Sequence, residues 1–98
     1  MLPRWRALEL IVIERQRQDK LKADGRFKYT CADLEMTLSQ KVAVLTEEVG
    51  EVARATLEIN ALVSRETDDH TELRHALRKE LVQVAAISLA WIESLVEE

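Results

Sequence analysis

Two acidic stretches contain the side chains of this sequence that are best suited to chemistry. The first is EEVGE at positions 47–51, and the second is ELVQ at positions 80–83. At about 100° per residue along a helix, Glu47, Glu48 and Glu51 share one sector of the helix surface. Carboxylate oxygens are the ligands of hard divalent cations, so the two stretches predict a site for Mg²⁺ or Mn²⁺ where their helices pack antiparallel.

The second stretch lies on a helix that is otherwise almost wholly apolar. Burying the charge of Glu80 there is costly unless a cation or an arginine neutralises it. Antiparallel packing would bring Glu48, Glu51 and Glu80 onto one ion. Spacing alone leaves another interpretation open, in which an exposed helix face carries ordinary i,i+3 and i,i+4 salt bridges among Glu47, Glu51, Arg54 and Glu58. In that interpretation Glu80 pairs with Arg54 or with Arg78.

Three helices must position these side chains. The spacing of apolar residues predicts an all-α fold with helices over about residues 4–22, 38–63 and 70–96. Asp24-Gly25 is predicted to end the first helix. Thr37 followed by Gln40 has the form of a capping box and predicts the start of the second helix. Asp69 with Glu72 offers the N-cap of the third.

The second and third helices carry more apolar surface than one neighbour can cover. A seam in the second helix repeats at alternating spacings of three and four, which predicts lengthwise packing in a bundle. Gly50 lowers helix propensity by about 1 kcal/mol relative to Ala, so it predicts close approach of another element or a ligand. The third helix is apolar nearly all round between residues 81 and 92, which predicts a place at the bundle centre or at a subunit interface. The seam residues are Val42, Leu45, Val49, Val52, Thr56, Ile59 and Val63.

Composition indicates one small helical domain spanning residues 1–98. The chain has 47% hydrophobic and 33% charged residues, with only two Gly and one Pro, and this suits a compact helical protein. A domain of this size buries about two-thirds of its unfolded surface. Because so small a core gives marginal stability, we expect the chain to form a homo-oligomer.

Charge and cysteine content narrow the functional class. A net charge of −4 disfavours nucleic-acid binding, which needs a cationic face. Residues 14–28 nevertheless hold six Lys or Arg against three Asp or Glu, and this basic segment is either a phosphate contact or a solvated helix end. The single Cys31 forms no intrachain disulfide, and no apolar run reaches the roughly 20 residues that span a membrane. These features predict a cytoplasmic protein outside the membrane.

The EEVGE run, within a long amphipathic helix and followed about thirty residues later by a tetrad led by Glu80, resembles the MazG-like nucleotide pyrophosphohydrolases, relatives of the helical dimeric dUTPases. The similarity covers roughly residues 38–92. The run ERQRQD at positions 14–19 is also similar to the first helix of some small phage-type members. The resemblance implies an all-α fold assembled as dimers or tetramers with a four-helix-type core. It also implies Mg²⁺-dependent cleavage of a nucleoside triphosphate to monophosphate and pyrophosphate.

Carried over by position, the resemblance places Glu48, Glu51 and Glu80 at metal-ligand positions. Glu47 matches a carboxylate that helps to bind metal or orients the attacking water. The fourth ligand position, an Asp in the family, falls on Gln83, whose neutral carbonyl oxygen is a poorer ligand. This departure favours an alternative function, a non-catalytic or weakly active helical oligomer or nucleotide-binding module. A regulatory partner that uses the apolar third helix is a third interpretation.

Substrate-binding groups are predicted on both sides of the acidic positions. Lys41, Arg54 and Lys79 lie within one or two helical turns of the glutamates, where cationic side chains suit phosphate groups. Phe27 and Tyr29 lie in the loop after the first helix. They are predicted to stack on a nucleotide base or, in the competing interpretation, to cover the end of the bundle.

Overall fold

The computed structural model describes residues 1–62 and 70–95. Its elements are helices α1 (Arg4–Ala23), α2 (Leu38–Leu62) and α3 (Thr71–Ser94), with no strand in the described ranges. The predicted all-α fold is confirmed, and every helix end predicted within those ranges lies within one residue of its observed position. The predicted ends at residues 63 and 96 fall outside them.

Helix α1 ends where the sequence predicts, in a Schellman motif. Gly25 has a φ of +80°, a left-handed conformation that glycine adopts without steric cost. The Gly25 amide donates to the Lys22 carbonyl at 3.0 Å, and the Arg26 amide donates to the Leu21 carbonyl at 2.9 Å. These two bonds satisfy carbonyl groups that the last helical turn leaves open. The chain then turns away from α1 into the loop that carries the two aromatic residues.

Helix α2 begins at the predicted capping box. The Thr37 amide donates to Gln40 Oε1 at 2.9 Å, and the Gln40 amide donates to Thr37 Oγ1 at 3.1 Å. Helix α3 begins differently, because His70 stands at its N-cap and makes no side-chain capping bond. The predicted cap Asp69 lies outside the described residues.

The capping box gives a stability prediction. Thr37→Ala removes the hydroxyl that accepts the hydrogen bond from the Gln40 backbone amide. The free energy of unfolding should therefore fall by about 1 kcal/mol. Chemical denaturation measures this loss. Ser39→Ala is the matched control, because Ser39 is exposed in the same turn. Equal stability of the two variants would show that the capping box contributes nothing.

Helix α3 is the central helix. It packs against both α1 and α2, whereas α1 and α2 make no close backbone contact with each other in the described part. This central position agrees with its nearly all-round apolar character. The buried centre joins the loop after α1 to α3 through Cys31, Ile87 and Ala90. Partly buried side chains packed against that centre are Ala32, Met36, Val44, Leu45 and Trp91.

Polar contacts fix α1 and α2 along α3. The buried Arg15 donates to both carboxylate oxygens of Glu93, at 2.8 and 3.3 Å, and a two-point bond of this kind also sets orientation. From α2, Lys41 Nζ donates to Ser94 Oγ at 2.8 Å. Both contacts lie near the C-terminal end of α3, so they hold that end of the three-helix unit together.

Much of the apolar surface on α2 remains uncovered within the chain. Val42 and Val49 of the predicted seam are 50% and 49% exposed, whereas Ile59 is buried. A Cβ placed on Gly50 would meet nothing within 4 Å in the described part. The close approach predicted at Gly50 is therefore not made by another element of residues 1–62 and 70–95. None of the helices in the described ranges is long and apolar enough to cross a membrane.

Candidate carboxylate site and adjoining pocket

The two acidic stretches meet across the α2–α3 interface. With its NH₂ group turned toward the carboxylates, the Gln83 amide donates to Glu48 Oε2 and to Glu80 Oε2, each at 3.0 Å. Glu48 therefore lies opposite Gln83, while Lys41, seven residues earlier, lies opposite Ser94. Positions that rise along α2 fall along α3, so the two helices run antiparallel, as the convergence of the glutamates requires.

Negative charge is crowded around Glu48. Burial, and then the charges of Glu80, Glu47 and Glu51, raise the pKa of the Glu48 carboxyl above its ordinary value. A hydrogen bond between Glu48 and Glu80 acts in the same direction. The carboxyl thus binds a proton more readily than an ordinary glutamate, because it is partly removed from water and lies among like charges.

The remaining glutamates of the first stretch do not join the contact at Gln83. Glu51 forms an ion pair with Arg54 one turn later, which is the pairing that the competing interpretation predicts. Glu47 is exposed. Glu80 makes no ion pair with any described residue, so the predicted pairing with Arg54 or Arg78 is absent. Within residues 1–62 and 70–95, no three carboxylate, imidazole or thiol side chains are grouped so as to hold a metal ion.

A pocket of about 160 Å³ adjoins the Glu48–Gln83 contact. It lies between the second half of α1, the loop after α1 and the facing surfaces of α2 and α3. Its polar lining residues are Glu14, Arg17, Gln18, Thr30, Glu48 and Gln83. Its apolar lining residues are Phe27, Tyr29, Cys31, Met36, Val44 and Ile87.

The pocket brings the predicted aromatic residues to the acidic cluster. Phe27 and Tyr29 both line it and are 42% and 38% exposed. The Lys28 ammonium lies 5.3 Å from the centre of the Tyr29 ring, a distance typical of a cation–π contact. The Lys28 cation therefore lies over the Tyr29 ring rather than over Phe27.

Hydrogen bonds order the loop that presents these rings. The Thr30 amide donates to Asp33 Oδ2 at 2.8 Å, and Asp33 also pairs with Lys22 of α1. The bond from Lys22, followed by that from the Thr30 amide, lowers the pKa of Asp33. Next to Thr30, burial raises the pKa of the Cys31 thiol. A buried thiol of raised pKa is a poor nucleophile, and the sequence offered no evidence for a nucleophilic role either.

The predicted phosphate-binding cations lie apart from the pocket. Lys41 is only 3% exposed and bonds to Ser94, so it holds α2 to α3. Arg54 and Lys79 are exposed, and neither lines the pocket. The sequence interpretation did not select Gln18, Arg17 or the other α1 residues of the lining. Their sequence signals were membership of the ERQRQD run and of the basic segment at residues 14–28, and neither distinguishes buried polar residues from exposed ones.

This arrangement of glutamates and pocket has to be interpreted without help from a known relative. The resemblance to the MazG-like proteins still rests on the EEVGE run and the Glu80 tetrad, and it stays a prediction. Function is therefore inferred here from the residues and their geometry. No family model, curated protein or solved structure matches this chain.

Proposed function

We propose that this chain is a Mg²⁺-dependent nucleoside triphosphate pyrophosphohydrolase, which releases a nucleoside monophosphate and pyrophosphate. The observation that carries the proposal is the meeting of Glu48 and Glu80 at the Gln83 amide, 3.0 Å from each carboxylate. These carboxylates come from two helices and lie beside a pocket with aromatic walls. Such a site combines metal ligands with room for part of a nucleotide.

The side chains present fit a hard divalent cation, Mg²⁺ or Mn²⁺. Their donors are oxygens, and the raised pKa of Glu48 reflects burial and, after it, like charges that a cation would neutralise. Glu48 and Glu80 would be the principal ligands, and Gln83 would add its carbonyl oxygen after its amide turns over. Adding Glu51 requires this side chain to leave Arg54.

The chain's own residues then have separate tasks. A bound Mg²⁺ would neutralise phosphate charge and polarise the phosphorus that water attacks. Glu47, exposed at the edge of the cluster, orients that water or accepts its proton. The water oxygen forms a bond to the α-phosphorus, and the bond from that phosphorus to the oxygen bridging to the β-phosphorus breaks. Pyrophosphate leaves with the bridging oxygen, and the monophosphate keeps the oxygen of water. Arg54, once released from Glu51, becomes available to the phosphates, and Lys79 lies on the exposed side of α3.

Pyrophosphate release tests the proposal directly. Purified protein is incubated with a panel of canonical and modified nucleoside triphosphates, with Mg²⁺, with Mn²⁺ or with chelator. We expect at least one triphosphate to yield monophosphate and pyrophosphate in a 1:1 ratio, and only when metal is present. If no triphosphate in the panel releases pyrophosphate with either metal, the proposed activity is wrong.

The proposal includes assembly of the chain into a homodimer or homotetramer. Large apolar side chains are more than half exposed on every helix, including Trp5 at 67%, Leu57 at 67% and Ile92 at 64%. Covering such surface provides the driving force for association. We place the enzyme in the cytoplasm, with a nucleoside triphosphate as its substrate and with no nucleic-acid or membrane partner.

One observation favours the alternative of a non-catalytic helical oligomer or nucleotide-binding module. The Gln83 amide already supplies a hydrogen bond to both carboxylates, which stabilises the pair without an ion. Calorimetric titration with Mg²⁺ and Mn²⁺ separates the two functions. Absence of binding heat, or binding that Glu48→Gln leaves unchanged, would support the alternative.

A further inference from the structure

A second pocket lies between the first half of α1 and the first half of α3. Its volume is about 200 Å³. It shares no lining residue of the described part with the pocket beside the carboxylate site, so the two are separate binding spaces. Apart from one arginine, the residues that line the second pocket are apolar: Leu2, Ala7, Leu10, Ile11, Leu81 and Val82.

Arg78 is the arginine of this lining, and its charge is not balanced nearby. It is exposed, and it forms no ion pair with any residue in the ranges 1–62 and 70–95. Arg74 lies one turn earlier on the same side of α3, and it too is exposed and makes no ion pair in those ranges. Like charges four residues apart on a helix repel each other. The two guanidinium groups therefore place net positive charge at the edge of an apolar pocket.

The start of α1 adds positive charge at the same pocket. At about 100° per residue, Arg4 projects from the side of α1 that carries the lining residues Ala7 and Ile11. Arg4 likewise has no ion-pair partner among the described residues. The first turn of α1 contains no acidic residue and its N-cap Pro3 makes no side-chain bond, so the open amides of this turn favour a negative charge. In the described part no carboxylate lines the pocket.

The size and walls of this pocket suit a short apolar chain with one negative end. A cavity of roughly 150 Å³ binds benzene, so a space of about 200 Å³ holds an alkyl chain of about eight carbons. Burial of such a chain against apolar side chains is favourable. A guanidinium group binds a carboxylate through two parallel hydrogen bonds. A wholly polar anion would gain nothing from these walls, and an apolar cation would be repelled at their edge.

We propose that this pocket binds a medium-chain monocarboxylate, with the alkyl chain between α1 and α3 and the carboxylate on the Arg78 guanidinium. Arg74 and Arg4 strengthen the attraction at longer range. The inference does not rest on the proposed hydrolase activity, because it uses none of the residues assigned to that activity. A ligand held here contacts both α1 and α3, so its binding stabilises the packing of α1 on the central helix.

Calorimetric titration of the full chain with octanoate tests this inference. Octylammonium carries the same alkyl chain with the opposite charge, and acetate carries the same head group without the chain. Arg78→Gln removes the charge at an exposed position. Lys20→Gln is the matched control, because Lys20 is exposed on α1 and is not among the lining residues. Ala7→Met fills the pocket and leaves every charge in place.

We expect octanoate to bind the wild-type chain with a Kd of about 1 mM or tighter, and octylammonium and acetate to bind at least about tenfold more weakly. Arg78→Gln and Ala7→Met should each weaken octanoate binding by about tenfold or more, whereas Lys20→Gln should leave it unchanged. Octanoate should also raise the melting temperature of the wild-type chain. Equal binding of octylammonium or acetate, or unchanged octanoate binding by Arg78→Gln, would overturn the proposal.

A second copy of the chain is the competing occupant of this pocket. Sedimentation with and without octanoate separates the two occupants, and we expect the same oligomeric state in both conditions. If octanoate failed to bind, or if it dissociated an oligomer, the pocket would belong to a contact between copies and the proposal would be wrong.

Discussion

Glu48→Gln is expected to slow pyrophosphate release by on the order of 100-fold while making the metal-free protein more stable. The substitution removes one of two principal metal ligands, and a loss of about 3 kcal/mol in transition-state stabilisation lowers kcat/KM by on the order of 100-fold. Glutamine keeps an oxygen that accepts the Gln83 bond, and its own NH₂ group can donate to Glu80. Shape and hydrogen bonding are thus preserved while one charge is lost from the crowded cluster.

The gain in stability should depend on pH in a defined direction. The pKa of Glu48 is raised in the folded protein, so the folded state holds this proton more tightly than the unfolded state does. The stabilisation from this carboxyl is complete at acidic pH, below its unfolded pKa, and is lost as pH rises through the folded pKa. At neutral pH with chelator, Glu48→Gln should therefore melt about 2–5 °C above wild type. The difference should shrink as the pH is lowered.

A glutamate elsewhere on α2 provides the control for this prediction. Glu58 is exposed and does not line the pocket, so Glu58→Gln should retain both activity and wild-type pH dependence of melting. Thermal melting with and without Mg²⁺ completes the measurement. If Glu48→Gln retained wild-type activity, or if it melted below wild type at neutral pH with chelator, the charged cluster would not have the role assigned to it.

Gln83→Asp should have the opposite effect on the metal-free protein. It removes the NH₂ group that bonds to both carboxylates and adds another negative charge between Glu48 and Glu80. With chelator, the free energy of unfolding should fall by about 1–3 kcal/mol. With Mg²⁺, the added carboxylate should tighten binding by about tenfold or more, since ligand charge largely sets affinity for a hard cation. Calorimetric titration and melting curves in the two buffers measure these effects.

The variant Gln83→Asn separates the effect of a shorter side chain from the effect of an added charge. This variant shortens the side chain as Asp does but keeps the amide, so it should lose stability without gaining affinity for Mg²⁺. If Gln83→Asp bound Mg²⁺ no more tightly than Gln83→Asn, the position would not be a ligand position. Having Gln83 in place of the family's Asp would then not weaken metal binding or activity.

The helices and their ends could be predicted because their signals are local. The capping bond between Thr37 and Gln40 spans three residues, and the Schellman motif at Gly25 lies within one turn of the last residue of α1. Lengthwise packing of α2 followed from its apolar seam, whereas the antiparallel direction was only a condition for the glutamates to converge. The pairing of Glu51 with Arg54, one turn apart, was likewise among the predicted alternatives.

The pocket could not be predicted, because its residues meet only after the loop folds back against α1 and α3. Lys41 illustrates the difficulty, since its partner Ser94 is 53 positions away. The spacing of Lys41 from Glu48 suggested a contact with substrate phosphates. In the structure Lys41 is buried, and its hydrogen bond to Ser94 joins α2 to α3. Gln18 was likewise one of many polar residues in the second half of α1. Its burial depends on where α1 lies on α3, and periodicity does not specify that position.

The absence of close backbone contact between α1 and α2 in the described part has a mechanical consequence. Within the described residues, their backbones are linked by α3 and by the loop after α1, so α1 and α2 form separate walls of the pocket beside the carboxylate site. A substitution that shifts α1 on α3 would therefore alter one wall of that pocket. Glu48 and Glu80 belong to the α2–α3 pair and would be affected less.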